Sequence, residues 1–162
     1  MLRLRSVAVA LSALAVFATG CTGDSPSGSA ARSFAVTRSD VDVTLQDFAI
    51  TLDPYAVVAG EVTFHITNAG SPMSTVQSRH VHEFVVLKTD LAGDSLPTGP
   101  DGSVDEEADG LEVIARVDPM RVGESQDLTL SLDAGDYIVV CNVVEDGMGH
   151  YPLEFGIPFT VM

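Results

Sequence analysis

The sequence predicts an all-β domain over residues 40–162, an antiparallel Greek-key β-sandwich of seven or eight short strands. Three observations carry this. Apolar and polar residues alternate with a period of two in one short run after another, the spacing of a strand with one buried face. Turn-forming residues separate the runs, as in Asp53-Pro54, Ala59-Gly60, Asn68-Ala-Gly70-Ser-Pro72 and Ala134-Gly135-Asp136. No long stretch keeps a helical period, and no segment repeats.

Residues 1–20 read as a signal peptide. Arg3 and Arg5 make a basic start, residues 7–17 an apolar run, and Ala18-Thr19-Gly20 a small-residue approach to Cys21. The apolar run is short for a helix that spans a bilayer. Ala18-Thr19-Gly20-Cys21 resembles a bacterial lipobox, apart from Ala18, where that pattern more often has Leu. The resemblance implies that Cys21 is lipidated and becomes the amino terminus; the alternative is an ordinary secretory signal. Residues 21–39, rich in Thr, Gly, Ser and Pro over 22–33, read as the flexible tether of such a protein.

Within the domain, Val41, Val43 and Leu45 hold one register and Phe48, Ile50 and Leu52 the other. The slip near Asp47 marks a bulge or a break between two strands. Val62, Phe64 and Ile66 share a face opposite Thr63, His65 and Thr67, which leaves His65 toward solvent. His80 and His82 open the next strand, where alternation sends His82 inward with Phe84 and Val86 and leaves Glu83 outside. Residues 91–110 are rich in Gly, Asp, Pro and Ser and contain Asp105, Glu106, Glu107 and Asp109. They are too polar and interrupted for core and read as a surface excursion. Residues 111–117, 126–132, 137–141 and 155–161 supply the remaining strands.

The charge excludes one class of partner. Eight basic residues against 23 acidic ones give −15, and removing residues 1–20, with two arginines and no acid, lowers this to −17. Nucleic acid needs a basic surface. Anionic lipid is disfavoured for the same reason, which leaves anchoring to a lipid on Cys21. An acidic exterior suits steering of a basic partner, or simple solvation.

Chemistry concentrates late in the chain. If Cys21 carries lipid, Cys141 has no disulfide partner in an oxidising compartment, so it is either a metal ligand or a buried inert thiol. Cys141 ends one strand, His82 lies on another, and His150 sits in the loop before the last strand. One thiolate and two imidazoles form the trigonal set that copper uses in electron transfer, and the lack of further cysteines disfavours a structural zinc site. His80 reads as a polar strand-entry residue, and Asn142 as a hydrogen-bonding neighbour of the site. The acidic cluster lacks the spacing of a calcium loop. No nucleophile–base pair, Walker loop or dinucleotide motif is present, so no enzyme is predicted.

Tyr137-Ile-Val-Val-Cys141-Asn, Gly149-His150-Tyr151 and His82-Glu-Phe-Val-Val resemble the copper-binding strands of the plastocyanin/azurin, or cupredoxin, family. Asp47-Phe-Ala-Ile and Ala59-Gly-Glu-Val-Thr-Phe64 resemble the first strands of its bacterial members. The resemblance covers residues 40–162 and implies a cupredoxin sandwich with His82, Cys141 and His150 as equatorial ligands of one copper ion. Family members usually place a methionine a few residues after the second histidine as a weak axial ligand. Read without gaps into the last strand, this chain offers Phe155 there. Met148, in the loop before His150, is the other candidate, and a backbone or water oxygen the third.

The function implied is a monomeric blue-copper electron carrier cycling between Cu(I) and Cu(II). It would be lipid-anchored outside the cytoplasmic membrane and serve redox proteins at the membrane surface. A copper chaperone, store or sensor without electron transfer, and a metal-free interaction module, are the alternatives.

Overall fold

The slip in alternation at Asp47 is a hairpin turn. In the computed structural model, which describes residues 38–71 and 81–162, β1 (Arg38–Gln46) and β2 (Ala49–Asp53) pair antiparallel across it, Leu45 with Ile50 and Gln46 with Ala49. The signal segment, Cys21 and His80 lie outside the described residues. β2 stops at Asp53-Pro54, where proline cannot donate to a ladder. The chain then touches the opposite sheet as β3 (Ala56–Val57) and returns as β4 (Gly60–Gly70) beside β1.

The other strands expected from alternation follow: β5 (His82–Lys88), β6 (Glu112–Met120), β7 (Ser125–Leu132), β8 (Gly135–Val140) and β11 (Ile157–Val161). Between the last two lie a two-residue ribbon, β9 (Val144–Glu145) with β10 (Met148–Gly149), and one helical turn, α1 (Tyr151–Glu154). One sheet has the order β2-β1-β4-β7 and the other β3-β11-β8-β5-β6. The sandwich is not wholly antiparallel. β1 runs parallel to β4 because the hairpin and the excursion to β3 intervene, and β11 runs parallel to β3.

The main core fills the space between the sheets. Val41, Val43, Val62, Phe64 and Ile66 from one sheet meet Phe84, Val86, Val139, Cys141 and Phe159 from the other. The inward and outward sets are those that alternation predicts, since a period of two puts every second side chain on one face. His65 stands on the outer face of its sheet between Asp127 and Asp40, and both carboxylates raise its pKa.

The connection over residues 91–110 departs from its sequence reading. Leu96 and Val104 are buried against Val85, Leu87, Ile138, Val140 and Tyr151, a second apolar cluster. These residues cover the outer face of the five-stranded sheet, which explains why residues 82–87 of β5 are buried on both faces. Glu83 is therefore buried, not exposed. Its carboxylate accepts the Asn142 backbone N–H at 3.1 Å, and burial raises its pKa against the lowering effect of Arg116.

Candidate metal centre

His82 is the first residue of β5 and Cys141 directly follows β8, so two adjacent strands end at the same rim of one sheet. His150 reaches that rim from the ribbon. Asp146 and Gly147 at its tip both have positive φ (52° and 79°), the conformation of a two-residue turn that matches strand twist. The His150 N–H then donates to the Val143 carbonyl at 2.9 Å, and Gly149 N–H to the Asp101 carbonyl at 2.8 Å. A Cβ on Gly149 would lie 2.6 Å from the Ser103 nitrogen and 2.8 Å from the Gly102 carbonyl carbon. Both are backbone atoms, which cannot yield without moving the loop. Gly149→Ala is expected to destabilise the fold by about 1–3 kcal/mol as an overpacking change and to weaken metal binding by shifting His150. Thermal melts and chelator competition measure the two effects, and an unchanged melt would contradict the packing.

The three predicted donors converge. Nδ1 of His82 is 3.6 Å and Nδ1 of His150 3.5 Å from Sγ of Cys141, all three residues being buried. Bonds of about 2.0–2.1 Å to nitrogen and about 2.3 Å to sulfur around one ion place such donors about 3.5–3.8 Å apart. The observed spacings fit a shared metal ion. Each imidazole is held from behind. Nε2 of His82 lies 2.9 Å from Oδ1 of Asp47, and Nε2 of His150 lies 3.1 Å from Oε2 of Glu145. A carboxylate accepting Nε2–H keeps the Nδ1 lone pair turned inward. Phe48 packs edge-on against both rings, with centroids 6.2 Å and 5.2 Å away.

A fourth donor was missing from the sequence reading. Glu154 lies in the same buried group, with one potential ligand atom from each of His82, Cys141, His150 and Glu154 all within 4.8 Å of one another. Its side chain is 0% exposed and neither carboxylate oxygen takes a hydrogen bond. The groups that act on it include the Cys141 thiol, Nδ1 of His82 at 4.0 Å, and the Asp47 carboxylate, whose charge raises its pKa. Phe155 and Met148, the residues expected to cap the site, are instead 47% and 57% exposed. The helical turn explains the exchange. α1 fills the stretch that reads as a loop before a strand at 155–161, and residues four apart share a helix face, so Glu154 comes round toward His150. Phe155 then adopts φ 54° and ends the turn. The spacing His150-Tyr-Pro-Leu-Glu154, with proline in the first turn, is the signal that could have revealed it.

Asn142 latches the covering segment to the site. Its Oδ1 accepts the Val104 N–H at 2.6 Å, while Nδ2 donates to the Val104 carbonyl and to Glu106, which also pairs with Arg116. Tyr151 anchors the next residue along, donating to the Gly93 carbonyl at 2.9 Å and accepting the Leu96 N–H at 3.0 Å.

The electrostatics suit a cation. Burial pushes the Cys141 thiol well above its ordinary pKa and the neighbouring Glu154 carboxyl adds to this, while backbone N–H groups of Val143 and Glu83 favour the thiolate. Burial likewise raises Glu154, to about 7, against a lowering by the Cys141 thiol. An ionised thiol and carboxylate side by side in a buried site need a positive charge between them. A sulfur, two imidazole nitrogens and a carboxylate oxygen form a group able to hold one copper ion.

Asp47 tests the support of this group. Asp47→Ala is expected to lower copper affinity about 10–100-fold, the usual cost of losing a carboxylate behind a metal-binding histidine. Chelator competition reads the change, and an affinity equal to the parent's would show that His82 needs no such support.

No protein-family model and no curated protein matches the sequence. Solved structures do. A reduced rusticyanin superposes with a TM-score of 0.51 at 14% identity, covering 80% of this chain and 82% of its own. Auracyanin B gives 0.50 at 16%, covering 79% and 91%. A dithionite-reduced auracyanin from Roseiflexus castenholzii gives 0.46 at 17%, covering 79% and 98%. The first two show the fold: the described domain is a cupredoxin sandwich.

Proposed function

We propose that this protein is a mononuclear copper electron carrier, exported and held by lipid on Cys21 outside the cytoplasmic membrane, with His82, Cys141 and His150 as residues that would hold the ion. The convergence of two imidazole Nδ1 atoms, each within 3.6 Å of one thiol, at the rim of a cupredoxin sandwich, carries this reading. Copper would supply a one-electron couple between Cu(I) and Cu(II). The chain's part is to keep the donors still. His82 and Cys141 are fixed at the ends of paired strands, Asp47 and Glu145 hold the imidazoles, and Phe48 shields both rings. All the donor residues are buried, which suits electron transfer through protein better than turnover of a substrate at the metal.

The approach of a partner is supported at the same end. Val144, Met148, Leu153 and Phe155, near His150 in the chain, are exposed and apolar. Their exposure supports contact with a redox protein through this part of the chain, and the acidic exterior would favour a basic one. Among the described residues no helix is long and apolar enough to cross a membrane, and the anchor is assigned to Cys21.

Protein-film voltammetry tests the reading. An electron carrier gives one reversible one-electron wave, and mass spectrometry of protein from its own host finds acyl chains on Cys21. Copper that binds yet exchanges no electrons reversibly would make the protein a store or chaperone.

A further inference from the structure

We propose that Glu154 is the fourth ligand of the copper ion, giving a two-imidazole, thiolate and carboxylate set whose anionic oxygen biases the centre toward Cu(II). This rests on the reading of the site as a copper centre and concerns which further residue of the chain would hold the ion. A buried carboxylate is ordinarily hydrogen-bonded, ion-paired or bound to metal, because an unpartnered one is costly. Glu154 has no exposed side-chain surface, and the partners close to its carboxylate are themselves donors of the site, the Cys141 thiol and, at 4.0 Å, Nδ1 of His82. Its Oε1 is 4.0 Å from Nδ1 of His82, on the side of the imidazole that also faces Sγ, whereas Asp47 holds the opposite ring nitrogen. The backbone aims it there. His150 caps α1 and Glu154 closes its single turn, with Pro152 and the buried Tyr151 fixing the geometry between them.

The consequence reverses the one that Phe155 would have produced. A hydrocarbon cap leaves the sulfur and nitrogens to set the balance and favours Cu(I). Carboxylate oxygen is a hard, charged donor and favours the more electron-poor Cu(II), so the reduction potential falls. In the oxidised centre the charges of the thiolate and the carboxylate also balance the two positive charges of the ion, and no outside counter-charge is needed.

The test compares copper-loaded parent protein with Glu154→Leu, Glu154→Met and Glu154→Gln by metal count, electron paramagnetic resonance and mediator titration of the potential. The Leu and Met variants should each keep one copper and favour Cu(I) at least tenfold more than the parent, about 59 mV upward for a one-electron couple. Glu154→Gln, a neutral oxygen donor of the same shape, should fall between. Changed hyperfine splitting in the Leu variant would confirm that a ligand was lost. X-ray absorption on the unaltered protein guards against misfolded variants, and should show an oxygen in addition to two imidazole nitrogens and one sulfur. Copper-loaded variants with the parent's potential and resonance, or an absorption spectrum without that oxygen, overturn the proposal and leave the copper site standing. A parent protein that holds no copper overturns both.

Discussion

Cys141→Ser is expected to abolish the intense visible absorption of the copper-loaded protein and to lower copper affinity by orders of magnitude, while leaving an all-β circular dichroism spectrum. The band arises from charge transfer between a thiolate and copper, and a serine hydroxyl at this position stays protonated and hard. The substitution changes little in volume, and Cys141 is one member of the large core cluster between the sheets, so the cost of a buried hydroxyl, about 1–3 kcal/mol, leaves the sandwich folded. Its own backbone donors, the N–H groups of Val143 and Glu83, remain to accommodate an oxygen. Absorption and circular dichroism on the same sample measure both parts. A variant that keeps the colour would remove Cys141 from the site.

The second large effect lies in the core. Phe64→Ala should cost about 3–5 kcal/mol of unfolding free energy, the range for deleting a buried phenylalanine. Phe64 is 0% exposed and lies between the sheets, its ring 5.2 Å from Phe84 and 5.3 Å from Phe159. The substitution thus removes contacts that tie β4 to both β5 and β11. Because β5 carries His82, the copper-loaded variant should also lose part of the stabilisation that metal gives the parent. Denaturant titration of metal-free and copper-loaded forms reads both quantities. A loss under about 1 kcal/mol, less than the cost of a typical core truncation, would mean that the sheets do not meet through this ring.

What the sequence disclosed follows the range of its signals. A period of two is strong over five or more residues, so the strands, their buried faces and the inward turn of His82 were legible before any coordinates. The slip at Asp47 was legible as an interruption. Its use was not, because only the folded hairpin brings Asp47 to His82 and Phe48 to both imidazoles. Glu154 was hidden for a related reason. A helix of one turn has no periodicity to detect, and carrying the loop after His150 without gaps into a strand at 155–161 put Phe155 at a place that the turn gives to its neighbour. Glu83 and the segment 91–110 misled in composition. Two apolar residues, Leu96 and Val104, suffice to cover an outer sheet face, and a polar average conceals them. Local alternation showed where His82 and Cys141 stand along their strands, and long-range contacts decided what stands behind them.

The buried group of His82, Cys141, His150 and Glu154 is suited to hold copper. The most direct measurement is a metal count on protein refolded with equimolar copper and zinc present, read together with its visible spectrum. One copper per chain is expected, with no zinc, and with thiolate-to-copper charge transfer that disappears on chelation and returns on adding copper. One zinc per chain, or a colourless protein that retains no metal, would contradict it.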